Sequence, residues 1–199
     1  MIAGTAPPPG PASGSTAAGS GLSAVVIPTG ISAHTVMASP LGQLTIVRRG
    51  GRLTGLYFAR HWPRPDRAAF GTRTARGFEA AQRQLAEYLG GQRTGFDLPL
   101  EPGGTEFQRR VWDLIAQLPY GGTTSYGELA RRLGGGATPQ EVGAAVGQNP
   151  LCILIPCHRV IGSTGKLTGY AGGLQRKRVL LEMEARRSHG IEPLGVYQA

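Results

Sequence analysis

Pro156-Cys157-His158-Arg159-Val160 puts a potential nucleophile beside a potential base, directly after the apolar run Leu151-Cys152-Ile153-Leu154-Ile155. A thiol attacks as its thiolate, and at an unperturbed pKa of about 8.5 only a few per cent is ionised near neutrality. A neighbouring imidazole or guanidinium raises that fraction, and His158 and Arg159 supply both types. Consecutive side chains on an extended strand point to opposite faces, so Cys157 and His158 can cooperate only across a sharp turn at Pro156. The competing reading is the end of a buried strand whose cysteine is simply a small hydrophobe. Spacing alone leaves both open.

The elements that must position this segment are mostly helical. Thr105-Glu106-Phe107-Gln108 is a capping-box pattern that opens onto Phe107, Val111, Leu114, Ile115 and Leu118 at helical spacing. Ser125-Tyr126-Gly127-Glu128 is a second such pattern, and Thr138-Pro139-Gln140-Glu141 a third, with proline at the first helical position. Gly134-Gly135-Gly136-Ala137 joins the last two helices, which suggests a helix-turn-helix whose second helix runs from about Pro139 to Gly147. That helix carries Val142-Gly143-Ala144-Ala145-Val146-Gly147, small residues without a base-reading arginine. Such a surface allows close approach to sugar-phosphate or a minor groove and reads little sequence. After Asn149-Pro150 come the apolar run, the Cys157 segment, a glycine-rich stretch from Gly162 to Gly173, and a last amphipathic helix from about Leu174 to Glu184.

The first half reads as a small sheet-plus-helix unit. Thr35-Val36-Met37, Gln43 to Val47 and Leu53 to Phe58 are strand-like, with Gly50-Gly51 as a turn. A Pro- and Arg-rich loop runs from Arg60 to about Arg76, before Phe78, Ala81, Leu85, Tyr88 and Leu89 recur at helical spacing up to Gly90-Gly91. The expected organisation is a disordered tail over 1–30, an N-terminal domain over 31–97, a linker over 98–104, a C-terminal domain over 105–188 and a short tail over 189–199. The fold class is α+β.

Composition narrows the function classes. Residues 1–30 carry no charge and are dominated by small residues, without the basic start and apolar core of a signal peptide. No stretch reaches the roughly 18 apolar residues of a membrane span, so a soluble cytoplasmic protein is expected. Cys152 and Cys157 are too few for a thiolate zinc site, and His34, His61, His158 and His189 show no ligand spacing, so no metal is expected. The formal net charge of +9 comes almost wholly from arginine, which suits phosphate, although solubility and compositional bias explain it equally well.

The order of elements, with Asn149-Pro150, Ile155-Pro156-Cys157-His158-Arg159-Val160 and Gly172-Gly173-Leu174, resembles the O6-alkylguanine-DNA alkyltransferases, the methylated-DNA–protein-cysteine methyltransferases. The resemblance covers the chain after its tail and is strongest from Phe107 to Glu184. It implies a ribonuclease-H-like N-terminal domain and a helical, winged-helix-like C-terminal domain. It further implies a direct-reversal DNA repair enzyme that flips O6-alkylguanine, and O4-alkylthymine as well, out of duplex DNA and transfers the alkyl group irreversibly to its own cysteine.

By that resemblance Cys157 is the acceptor, His158 the base acting through a water, Glu184 its orienter, and Tyr126 the proton donor to the base. The carbonyls of Cys157 and Val160 would accept from the guanine amine, Tyr170 would wall the pocket, and Asn149 would tie the recognition helix to the active-site turn. Arg159 would be a structural hydrogen-bonding residue. Gln140, Gly143, Ala144 and Gly147 would meet the DNA. No cofactor is implied, and the protein would act as a monomer, with cooperative clustering on DNA left open. Gln140 stands where the family usually has an intercalating arginine, and Ala171 where it often has serine, a change that spares the backbone N–H facing O6. The amino-terminal zinc ligands of some members are missing. A non-catalytic relative that only flags the lesion is the alternative, but such relatives lack the cysteine.

Overall fold

The computed structural model describes Met1 and residues 30–188 of the 199-residue chain. The expected tails fall outside the described residues, apart from Met1 and Gly30. The first unit is a four-stranded sheet with one helix. Strands β1 (Ser32–Met37), β2 (Leu44–Arg49) and β3 (Arg52–Phe58) form an antiparallel meander. Their alternation buries Leu44, Ile46, Leu53, Leu56 and Phe58 on the face that helix α1 (Glu79–Leu89) covers with Phe78, Ala81, Leu85 and Tyr88.

The Arg- and Pro-rich loop holds two elements the sequence reading missed. Arg67–Phe70 is a 3-10 turn capped by Asp66, and Thr72–Arg73 forms a short strand, β4, parallel to β1. Two exposed residues give no period to detect, so only the sheet edge beside them makes this a strand. The sheet order is β3-β2-β1-β4. Residues 98–104 run along the opposite edge, where Leu53 donates to Pro99 O (2.8 Å) and Glu101 donates to Leu53 O (2.8 Å).

The second unit is helical. Helices α2 (Glu106–Ala116) and α4 (Pro139–Gly147) start with complete capping boxes, from Thr105 with Gln108 and from Thr138 with Glu141. Helix α3 (Tyr126–Leu133) has only half of one, because Ser125 accepts from Glu128 N while the Glu128 carboxylate pairs with Arg131. Val111, Trp112, Ile115, Leu129, Val142 and Val146 fill the space between these helices. Just before α3, Thr124–Ser125 (β5) pairs in parallel with Val160–Ile161 (β6), and the chain ends in α5 (Leu174–Ser188). No helix of the described residues is long and apolar enough to cross a membrane.

One expectation fails outright. Leu151–Ile155 is a buried turn and not a strand. Ile155 donates back to Leu151 O (2.8 Å), Leu154 donates to Cys152 O (2.9 Å), and Ile153 sits at φ 72°. A continuous apolar run says only that the segment is buried. Here local hydrogen bonds satisfy the backbone in place of a ladder. A β-branched residue at positive φ costs on the order of 1–3 kcal/mol, so the surroundings must enforce this turn.

Candidate active site

The turn delivers Cys157 into a short 3-10 segment, Cys157–Arg159, whose residues are all buried. Asn149 pins it from behind: its side-chain amide donates to Ile155 O (2.9 Å) and its oxygen accepts from Leu151 N (3.0 Å). Pairing of β5 with β6, Thr124 opposite Val160, then brings the start of α3 and Tyr126 alongside.

Glu184, fully buried on α5, is the hub. Its Oε1 accepts from His158 Nε2 at 2.6 Å, from Arg159 Nη2 at 3.1 Å and from the Tyr88 hydroxyl in a short contact. Its Oε2 accepts from Arg159 Nε at 2.8 Å and from Gly121 N at 2.9 Å. Burial alone would push this carboxyl up, but the hydrogen bonds from His158 and Arg159 with their charge outweigh it and hold it at about 2. Burial lowers the His158 pKa, so the ring is neutral at neutral pH. The permanent charge opposite Glu184 is therefore the Arg159 guanidinium, which also donates to Leu118 O (2.7 Å). With Nε2 donating to the carboxylate, Nδ1 is the basic nitrogen of His158, and it has no partner among the described residues.

Cys157 itself is held below the ordinary thiol range. The neighbouring Cys152 thiol contributes most, against burial that pushes it up, with further help from the Asn149 amide and the Lys177 ammonium. Lys177 is buried, lowered to about 8 by desolvation. Its Nζ donates to Val160 O (2.5 Å), Thr168 O (2.7 Å) and Gly169 O (3.3 Å), tying the glycine-rich loop to the Cys157 turn.

Tyr126 is half-buried, its hydroxyl 3.4 Å from both Thr168 O and Thr168 Oγ1, and burial raises its pKa. Tyr170 stands edge-on to Phe58 (5.9 Å between centroids) and to His158 (6.4 Å). Ala171 is buried and its carbonyl accepts from Trp62 N (2.9 Å), while Gly172 abuts the Phe58 ring too closely for any side chain. The Val160 carbonyl takes Lys177, and Cys157 O accepts from Val160 N.

Cys157, His158, Glu184, Tyr126, Asn149, Val160, Tyr170 and Ala171 thus converge. Gln140, Gly143, Ala144 and Gly147 lie apart on the outer face of α4, where Gln140 and Ala144 are exposed and Gly143 and Gly147 partly so. A Cβ at Gly143 would touch the Tyr126 ring at 3.7 Å, which places this face beside the pocket.

Tyr88, Cys152 and Lys177 were not among the expected site residues. Tyr88 reads as an apolar helix position, and its hydroxyl was the only hint. Cys152 is hidden in the apolar run. Lys177 did carry a signal: it shares the inward face of α5 with Leu180 and Glu184, a place where an unpartnered lysine is not tolerated.

Comparison with known proteins bears on the whole arrangement. Residues 33–102 match the family model of the 6-O-methylguanine DNA methyltransferase ribonuclease-like domain, and residues 106–186 that of the DNA-binding domain. The chain is 47% identical over 155 residues to the methylated-DNA--protein-cysteine methyltransferase of Mycolicibacterium paratuberculosis, covering 78% of this chain and 93% of that protein. The chain belongs to the 6-O-methylguanine DNA methyltransferase family. A Methanosarcina acetivorans methylated-DNA--protein-cysteine methyltransferase is 50% identical over 107 residues, 54% of this chain and 69% of that one. The solved structure of Mycobacterium tuberculosis OGT in complex with DNA superposes with a TM-score of 0.72 at 44% identity, covering 78% of this chain and 94% of that one. In this methyltransferase the Glu184 hub draws on both family domains, because Tyr88 comes from the ribonuclease-like one and the other donors from the DNA-binding one.

Proposed function

We propose that the chain repairs O6-alkylguanine in double-stranded DNA by moving the alkyl group onto Cys157, with O4-alkylthymine as a further substrate. The carrying observation is a buried Cys157 next in sequence to His158, whose Nε2 is held at 2.6 Å by the buried Glu184 carboxylate, with the exposed face of α4 nearby through Gly143 and Tyr126. The α4 face lies in the minor groove, where small residues permit close approach, and the lesion is turned out of the duplex towards Tyr170. The Cys157 proton passes to Nδ1 of His158 through a water. The thiolate attacks the alkyl carbon in line, a C–S bond forms, the C–O6 bond breaks, and its electron pair goes to the base. The Tyr126 hydroxyl supplies the proton that the departing guanine takes up, and the proton taken by His158 restores it through water. Carbonyls of Cys157 and Val160 accept from the guanine amine, and the Ala171 N–H faces O6.

The product is a stable thioether, so each molecule acts once, as a monomer. No cofactor enters the reaction. A cytoplasmic setting is proposed, in keeping with the free thiols of Cys152 and Cys157. Incubation with a duplex carrying O6-methylguanine, followed by mass analysis of the Cys157 peptide, should show one methyl gained per protein, abolished in Cys157→Ala. Tight binding without transfer would instead make the chain a lesion-flagging protein.

A further inference from the structure

A cavity of about 700 Å³ opens in the N-terminal domain, away from the outer face of α4 and lined in part by Tyr57, Arg60, His61, Trp62, Arg64 and Arg67. Arg60, Arg64 and Arg67 are exposed, and none forms a hydrogen bond or ion pair among the described residues. The nearest carboxylate in sequence, Asp66, is occupied in capping Ala68 N (3.0 Å). Three guanidiniums around one concavity repel each other, and an anion between them relieves that repulsion.

The walls are aromatic. Tyr57 stacks on Phe70 at 5.3 Å and meets His61 edge-on at 5.0 Å, while Trp62 is 73% exposed. A large exposed indole beside unpaired guanidiniums is a surface on which a base can stack while its phosphate is held. His61 adds an independent sign: the residue is more than nine-tenths buried, yet its Nδ1 has no partner among the described residues.

We propose that this cavity is a second nucleic-acid site that takes a nucleotide 5′-phosphate, stacking the base on Trp62 and holding the phosphate with Arg60, Arg64 and Arg67. The nucleotide is either free or part of a single strand. The site is separate from the alkyl-acceptor pocket, although the Trp62 N–H bond to Ala171 O joins the two walls.

Trp112, the second tryptophan, is buried at 1% exposure, so quenching by a surface ligand reports Trp62. Protein already methylated at Cys157 would be titrated with dAMP, deoxyadenosine, inorganic phosphate and a ten-nucleotide oligo(dA). Saturable quenching by dAMP but not by deoxyadenosine is expected, and Arg60→Ser/Arg64→Ser should weaken it roughly tenfold or more. Tighter binding of the oligonucleotide than of dAMP would identify a strand as the ligand, and equal binding a free nucleotide. The double variant should keep the parent Tm and the parent single-turnover rate on alkylated duplex. Absence of saturable quenching, quenching unchanged in the double variant, or displacement of dAMP by phosphate at equal concentration would overturn the proposal.

Discussion

Replacing Glu184 by glutamine tests how the site is held together. The two carboxylate oxygens accept from Tyr88, His158 and Gly121 and twice from Arg159. A glutamine keeps one acceptor oxygen and turns an NH2 group towards donors on the other side. It also leaves the Arg159 charge buried at 5% exposure without a counter-charge. Breaking a buried pair in this way costs about 3–5 kcal/mol, roughly 6–20 °C in Tm for a chain of this size. Tyr88→Phe removes one donor and no charge, so its loss should stay within about 1.5–3 kcal/mol.

The pH dependence gives a second check. Glu184 sits at about 2 in the fold against an ordinary value of 4.5. A depressed carboxyl stabilises the fold above its unfolded pKa, here by roughly 3 kcal/mol, and that contribution is lost as pH falls through the folded value. Glutamine has no such titration, so the stability gap between parent and variant should shrink by about 1 kcal/mol by pH 3.5. Urea unfolding at constant slope is the assay. A variant within 1 kcal/mol of the parent at pH 7, or a gap independent of pH, would refute the hub. Transfer should slow by about 10²–10⁴, because an amide can donate to Nε2 and move the ring proton to Nδ1.

Cys152→Ala removes the main contact that lowers the Cys157 pKa, so the single-turnover rate profile should shift to higher pH, and an unmoved midpoint would exclude that role. Tyr126→Phe should slow transfer while leaving DNA binding nearly intact; an unchanged rate would eliminate it as proton donor. Gln140→Arg should tighten DNA binding and steepen its salt dependence by about one charge, measured as the slope of log K against log salt. Constant affinity and slope would place Gln140 outside the groove. Lys177→Met strips Val160 O, Thr168 O and Gly169 O of their donor, and should leave the Gly162–Gly173 loop markedly more open to limited proteolysis, with no change counting against the tether.

Much of this architecture was legible in the sequence because its signals are local. Caps at Thr105 and Thr138, the Gly50-Gly51 turn and the apolar stripe of α1 each depend on residues within a few positions. The Leu151–Ile155 turn was not legible, since hydrophobicity reports burial but not the hydrogen bonds from Asn149 that bend the chain. Tyr88 was hidden for another reason: its partner Glu184 is 96 residues away, and nothing near Tyr88 demands a hydroxyl. Lys177 lay in plain view as a cation on the inward face of α5, but the carbonyls that satisfy it come from a loop with no period to place them.

The same geometry separates Gln140, exposed on the outer face of α4, from the buried groups around Cys157. The groups that set the charge state of Cys157, His158 and Glu184 come from the Asn149–Arg159 segment and α5. None comes from the exposed side of α4. On the proposed function a change at position 140 should act on DNA binding and leave thiol ionisation untouched, and the two can be measured apart. Gln140→Arg should alter affinity at fixed pH profile, whereas Cys152→Ala should move the pH profile at fixed affinity. A single variant moving both would mean that α4 and the buried hub are coupled through Tyr126, the side chain packed between Gly143 and Thr168.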